Sequence, residues 1–116
     1  MKLDHVLICT NDLPAMLHFF EQAVNLKPGP RPLFPFDGAW LYSEGKPIIH
    51  LAASSKHGID GAVDHIAFSG DSYSELTRRL ETAGLIYVER TIPGGGDRQV
   101  FIKGPEGITL EIQFPA

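Results

Sequence analysis

The sequence predicts an α+β chain of two repeated βαβββ modules whose strands form a curved mixed-sheet cleft, modules that could pair within one chain or across a homodimer. Three observations predict it. The chain matches itself at an offset of 60 residues. An apolar stripe at helical spacing follows the first strand of each half. Short strands bounded by turn residues follow each stripe.

The repeat begins at the first strand. Leu3-Asp4-His5-Val6 aligns with Val63-Asp64-His65-Ile66, Glu21 with Glu81, and Ala23 with Ala83. With one residue inserted, Ala39-Trp40-Leu41 aligns with Val100-Phe101-Ile102. In the same register, Ile48-Ile49-His50-Leu51 aligns with Thr109-Leu110-Glu111-Ile112. Any two amphipathic segments share apolar positions. Here the residues able to ligate metal also coincide, His5 with His65 and His50 with Glu111. The resulting organisation is a first module at 1–53, a linker at 54–61 and a second module at 62–116.

Each element follows from local chemistry. Strands open the halves at Lys2–Cys9 and Val63–Ser69. In the first helix, Leu13, Met16, Leu17, Phe20, Ala23 and Val24 make one face, with Asp12 as N-cap and Pro14 tolerated in the first turn. In the second, Ser72 and Glu75 have capping-box spacing, Leu76, Leu80 and Ala83 form the stripe, and Gly84 fits the C′ position. Strands follow at Ala39–Ser43 and Lys46–Ala52, joined at Glu44-Gly45. Their counterparts lie near Leu85–Thr91, Gln99–Lys103 and Ile108–Phe114, with a turn at Gly104-Pro105-Glu106-Gly107. The proline-rich segment 27–38 reads as a loop with one poor strand.

Side chains alternate along a strand, so parity assigns faces. Leu3, His5, Leu7 and Cys9 share one, and Val63, His65, Ala67 and Ser69 its equivalent. Ile108, Leu110, Ile112 and Phe114 should meet a helix, which turns Glu111 the other way; His50 likewise opposes Ile49 and Leu51. A lone histidine is ordinarily a hydrogen-bonded structural residue, and a carboxylate in an apolar strand ordinarily finds a salt bridge. Repetition at matching positions favours ligation instead. Imidazole and carboxylate suit zinc, nickel, cobalt, manganese or ferrous iron. His5, His65 and Glu111 are therefore the expected metal ligands, with His50 as a fourth. His18 and His57 are expected at the surface, and Cys9 as a small core residue.

Composition excludes several classes. The net charge of −4 carries no basic stripe for nucleic acid. A single cysteine permits no intrachain disulfide and points to a reduced, cytoplasmic setting. No apolar run approaches membrane-spanning length, and Asp4 and His5 interrupt any signal-like start.

With these features in place, the chain resembles the vicinal-oxygen-chelate superfamily of glyoxalases, bleomycin- and fosfomycin-resistance proteins and extradiol dioxygenases. The resemblance covers nearly the whole chain. It rests on LDHVLICTNDLPAMLHFF, PIIHLAAS, VDHIAFSGDSYSELTRRLETAGL and GGGDRQVFIKGPEGITLEIQF. Gly104 stands where the family usually has Asp.

The resemblance implies one divalent metal on His5, His65 and Glu111. It implies a substrate chelated through two neighbouring oxygens, and stabilisation of the enediolate or oxyanion that develops. Glu111 and His50 are the expected proton-moving residues. A glyoxalase-like lyase or isomerase is the leading expectation. His50 stands where glyoxalase I enzymes have Glu. Extradiol ring cleavage with non-haem iron is an alternative, although Phe101 stands about where those enzymes carry a catalytic Tyr. A thiol transferase of the fosfomycin-resistance type and a non-catalytic drug-binding protein are the others. Bleomycin-binding proteins of this fold lack the metal residues, which are retained here. Trp40 and Phe101 are expected to line the cavity, Phe34 and Phe36 to form a lid, and Arg98 to hold a substrate anion bidentately.

Overall fold

The protein is described from a computed structural model, which covers residues 3–54, 65–91 and 96–115. The chain divides into two compact units, Met1–Asp60 and Gly61–Ala116. The expected linker at 54–61 lies outside the described residues apart from Ser54, as do Lys2, His57, Val63 and Asp64.

The first unit runs β1 (Val6–Thr10), α1 (Leu13–Val24), β2 (Lys27–Pro28), β3 (Gly38–Ser43) and β4 (Lys46–Ala53). Its sheet has the order β1-β4-β3-β2, with β1 parallel to β4 and the other pairs antiparallel. The second unit repeats the plan with β5 (Ile66–Ser69), α2 (Tyr73–Ala83), β6 (Tyr87–Thr91), β7 (Arg98–Lys103) and β8 (Thr109–Phe114). Its order is β5-β8-β7-β6, with β5 parallel to β8. Each unit is therefore βαβββ. The poor strand expected in segment 27–38 is the two-residue β2, which pairs only with the end of β3. Proline lacks the N–H that would let it extend.

The helices start and stop where their capping chemistry allows. The Asp12 carboxylate accepts from the Ala15 amide at 3.1 Å, and the Ser72 hydroxyl from the Glu75 amide at 3.3 Å. Each helix ends on a left-handed residue, Asn25 (φ 58°) and Gly84 (φ 70°). Asn25 was not anticipated in that place, although Asn tolerates this conformation almost as well as Gly. In α1 the buried residues are Met16, Phe19, Phe20 and Ala23. The stripe is rotated towards Phe19, leaving Leu13, Leu17 and Val24 half-buried.

Leu41, Ile49 and Leu51 complete the core of the first unit. Leu76, Leu80, Val100, Ile102, Leu110 and Ile112 form that of the second. In β4 and β8 every second residue belongs to these cores, so His50 and Glu111 project from the opposite sheet face.

Two strand starts differ from expectation. His5 and His65 each stand one residue before their strand. In the first unit the β1–β4 ladder starts at Val6↔Ile49; one step back His5 would face Ile48, and at the next step Asp4 would face Pro47, which has no N–H to give. Cys9 is half-buried rather than a core residue, whereas its neighbour Thr10 is buried.

The hairpin β3–β4 turns through Glu44 (φ 51°) and Gly45 (φ 77°), the two positive φ values a tight primed turn demands. Nothing lies within 4 Å of a Cβ built on Gly45. Gly45→Ala therefore carries only the conformational penalty. The expected loss is about 1 kcal/mol, read as a lower urea midpoint at unchanged slope.

Candidate metal centre in two half-sites

In the first unit, the antiparallel register sets Trp40 opposite His50, and β1 delivers His5 beside it. Three rings stack as a result. Trp40 and His50 lie 4.0 Å apart at 10°, and His50 and His5 lie 4.0 Å apart at 9°. Each imidazole is anchored through one nitrogen. His5 Nδ1 meets the Asp4 carboxylate at 2.6 Å, and His50 Nε2 meets the Pro47 carbonyl at 3.2 Å. His5 Nε2 and His50 Nδ1 are left without a protein partner among the described residues. A carboxylate on the far nitrogen fixes the ring and raises its basicity, the usual second contact of a metal-ligating histidine.

Burial pushes the His50 imidazole below its ordinary pKa, the neighbouring His5 pushes it the same way, and the Pro47 carbonyl and Asp4 oppose them. Its neutral form is favoured. Asp4 is held below the usual carboxylate range by its hydrogen bond to His5 and by that ring's charge.

The second unit has the same register with different chemistry. Phe101 lies opposite Glu111, as Trp40 lies opposite His50. Glu111 is 4% exposed, its Oε1 is 2.9 Å from His65 Nε2, and its Oε2 accepts from the Gln99 amide at 3.3 Å. The Phe101 ring meets His65 edge-on at 5.7 Å. A buried carboxylate beside an imidazole is a donor set that a divalent cation fits. The cation would take the place of the direct His65–Glu111 contact.

The structure thus brings His5 to His50 and His65 to Glu111. Among the described residues it gathers no group of three or more His, Cys, Asp or Glu side chains. Trp40 and Phe101 lie on the sheet faces of His50 and Glu111, against His50 and His65 respectively. Phe34 and Phe36 are partly exposed and stack at 5.2 Å, with the Arg31 guanidinium over both rings and donating to the Phe36 carbonyl at 2.9 Å. Phe34 also approaches Trp40, at 6.3 Å. Gly38 makes room for this clasp, since a Cβ there would meet Leu51 O at 2.3 Å and Arg31 Nη2 at 3.0 Å. His18 is exposed.

Arg98 does not lie on the sheet face of Glu111. It shares parity with buried Val100 and Ile102, and its guanidinium lies 4.1 Å over the ring of Tyr73 at the start of α2. That is the helix side of the sheet, away from Glu111. Arg90 stands on the Glu111 side instead, 5.4 Å over the Phe101 ring. Arg90 and Gln99 were missed because neither has a partner in the repeat to mark it. Asp4 had a signal that went unused, the Asp-His dipeptide repeated at Asp64-His65.

Comparison with known proteins agrees with the fold. The profile of the Glyoxalase/Bleomycin resistance protein/Dioxygenase superfamily matches residues 2–112. "Glyoxylase I 4" of Arabidopsis thaliana is 29% identical over 120 residues, covering 96% of this chain and 69% of its own length. A glyoxalase family protein from Bacillus anthracis superposes with a TM-score of 0.82 at 17% identity, covering 100% of this chain and 96% of its own. The fosfomycin resistance protein FosX from Listeria monocytogenes superposes at 0.78 with 18% identity, covering 100% and 94%. A variant of that protein has been crystallised with Mn(II) and 1S,2S-dihydroxypropylphosphonic acid.

The depressed His50 pKa has a consequence for stability. Between the folded value and the ordinary value of about 6.5, the unfolded chain binds more protons than the folded one. Stability contributed by neutral His50 is therefore lost as the pH falls below about 6.5. In metal-free protein, urea midpoints measured from neutral pH downwards should fall less steeply in His50→Gln than in the wild type.

Proposed function

The chain belongs to the Glyoxalase/Bleomycin resistance protein/Dioxygenase superfamily, and on that premise we propose that it is a glyoxalase-like metalloenzyme of the lyase or isomerase type. One divalent metal would be held by His5, His65 and Glu111, with His50 as a fourth participant. The half-sets would meet across a homodimer, His5 and His50 from one subunit and His65 and Glu111 from the other. The observation that carries this reading is the buried Glu111 carboxylate beside His65, repeated in position by the His5–His50 stack. Apolar side chains left exposed beside these residues, Leu3 and Leu7 in the first unit and Val88 in the second, favour a partner that covers them.

When bound, such a cation supplies Lewis-acid chemistry, drawing charge from two neighbouring oxygens of a small substrate. The protein does the rest. Asp4 orients His5, and Gln99 orients Glu111. Trp40 and Phe101 wall the two half-sites and exclude water, which strengthens every charge interaction within. Glu111 is the first choice to move a proton, and His50 the second. Phe101 has no hydroxyl to offer, so the extradiol alternative would lack the Tyr those enzymes carry at about that position. The cytoplasm is the expected location. No helix among the described residues is long and apolar enough to cross a membrane.

Metal content after purification without chelators is the direct test. The wild type should retain about one divalent ion per site, and Glu111→Gln should lower affinity at least about tenfold, together with any turnover. Undiminished affinity in Glu111→Gln, or full turnover in metal-stripped protein, would overturn the reading.

A further inference from the structure

The geometry points to Arg90 as the residue that binds an anionic group, a carboxylate, on the substrate of this site. The inference rests on the metal reading above and adds a substrate class to it.

The register of the second sheet sets two rows across its ligand face. One runs Ala67, Glu111, Phe101, Val88, and the next runs Ser69, Gln113, Gln99, Arg90. The first is apolar apart from Glu111. The second is polar and ends in a cation. Its two glutamines are already committed, Gln99 to Glu111 and Gln113 to Asp97 at 3.3 Å. Arg90 is exposed and has no carboxylate partner among the described residues. Its guanidinium lies over the Phe101 ring, 5.4 Å from the centroid, rather than extending into water. Phe101 is the residue directly opposite Glu111.

A planar guanidinium held over an aromatic face is desolvated on one side and keeps its N–H edge free. That arrangement suits bidentate capture of a planar carboxylate. Strands are about 4.8 Å apart, so β6 lies about 10 Å from β8. The lean of Arg90 over Phe101, the residue opposite Glu111, shortens that reach. A ligand that spans this gap carries its two neighbouring oxygens at one end and a negative charge three or four bonds away. Arg98, on the opposite sheet face over Tyr73, serves as an internal control.

The test is calorimetric, on protein loaded with zinc, using two hydroxamates of equal length. Both offer two neighbouring oxygens; the monohydroxamate of succinic acid ends in a carboxylate, and butanohydroxamate ends in a methyl group. The wild type should bind the succinic compound at least about tenfold more tightly. Arg90→Gln should bring that ratio close to one while leaving butanohydroxamate affinity unchanged, which also shows that the variant is folded. Arg90→Lys should keep a reduced preference, and Arg98→Gln the full one. Equal affinity of the wild type for both compounds, or a preference that survives Arg90→Gln, overturns the assignment of Arg90 alone. Binding of neither compound removes the metal reading and Arg90 with it.

Discussion

The structure of the site turns on the burial of one carboxylate. Glu111 sits in the middle of β8 at 4% exposure, between Leu110 and Ile112 of the core. An ionised carboxylate taken out of water costs several kcal/mol unless it is paired and its remaining lone pairs are satisfied. His65 and Gln99 supply that compensation, one at each oxygen. The same side chains set the orientation of the carboxylate. Under the proposed function, a residue that is costly to bury in the metal-free fold would thereby be preorganised for a cation, and folding energetics and function would share one set of contacts.

The first unit solves the equivalent problem with neutral rings. His50 takes the place of the carboxylate and needs no counter-charge. It is packed between Trp40 and His5, and burial together with His5 favours its uncharged form. The two units therefore present different donors on one backbone plan. Imidazoles come from the chain just before β1 and β5 and from β4, and a carboxylate comes from β8. The repeat supplies the positions, and the difference between His50 and Glu111 makes the two donor pairs unlike.

Much of this was legible in the sequence, because two periodicities were strong. Alternation along Ile108–Phe114 placed Glu111 opposite the core, and the 60-residue offset paired His5 with His65. Capping chemistry at Asp12, Ser72 and Gly84 bounded the helices within a residue. Less legible were features that depend on neighbours across the sheet. Arg98 and Arg90 differ in the face they serve, a fact set by where β7 starts and by the register β6 adopts against it. A glycine-rich approach to β7 hides that start. Gln99 gains its role only through the diagonal reach to Glu111, and Phe19 is buried because α1 is rotated on its sheet. Single-residue strand limits were likewise set by pairing, as with His5 at the edge of the β1–β4 ladder.

The central claim is that His50 in one unit and Glu111 in the other serve one metal. Trp40 is the chain's only tryptophan and stacks on His50, so its emission reports on the first half-site. A zinc titration of wild-type and Glu111→Gln protein followed by Trp40 fluorescence is the most direct measurement. The account predicts a response that saturates at about one equivalent per chain and is lost or shifted at least about tenfold in Glu111→Gln. An identical titration curve in the two proteins would contradict it.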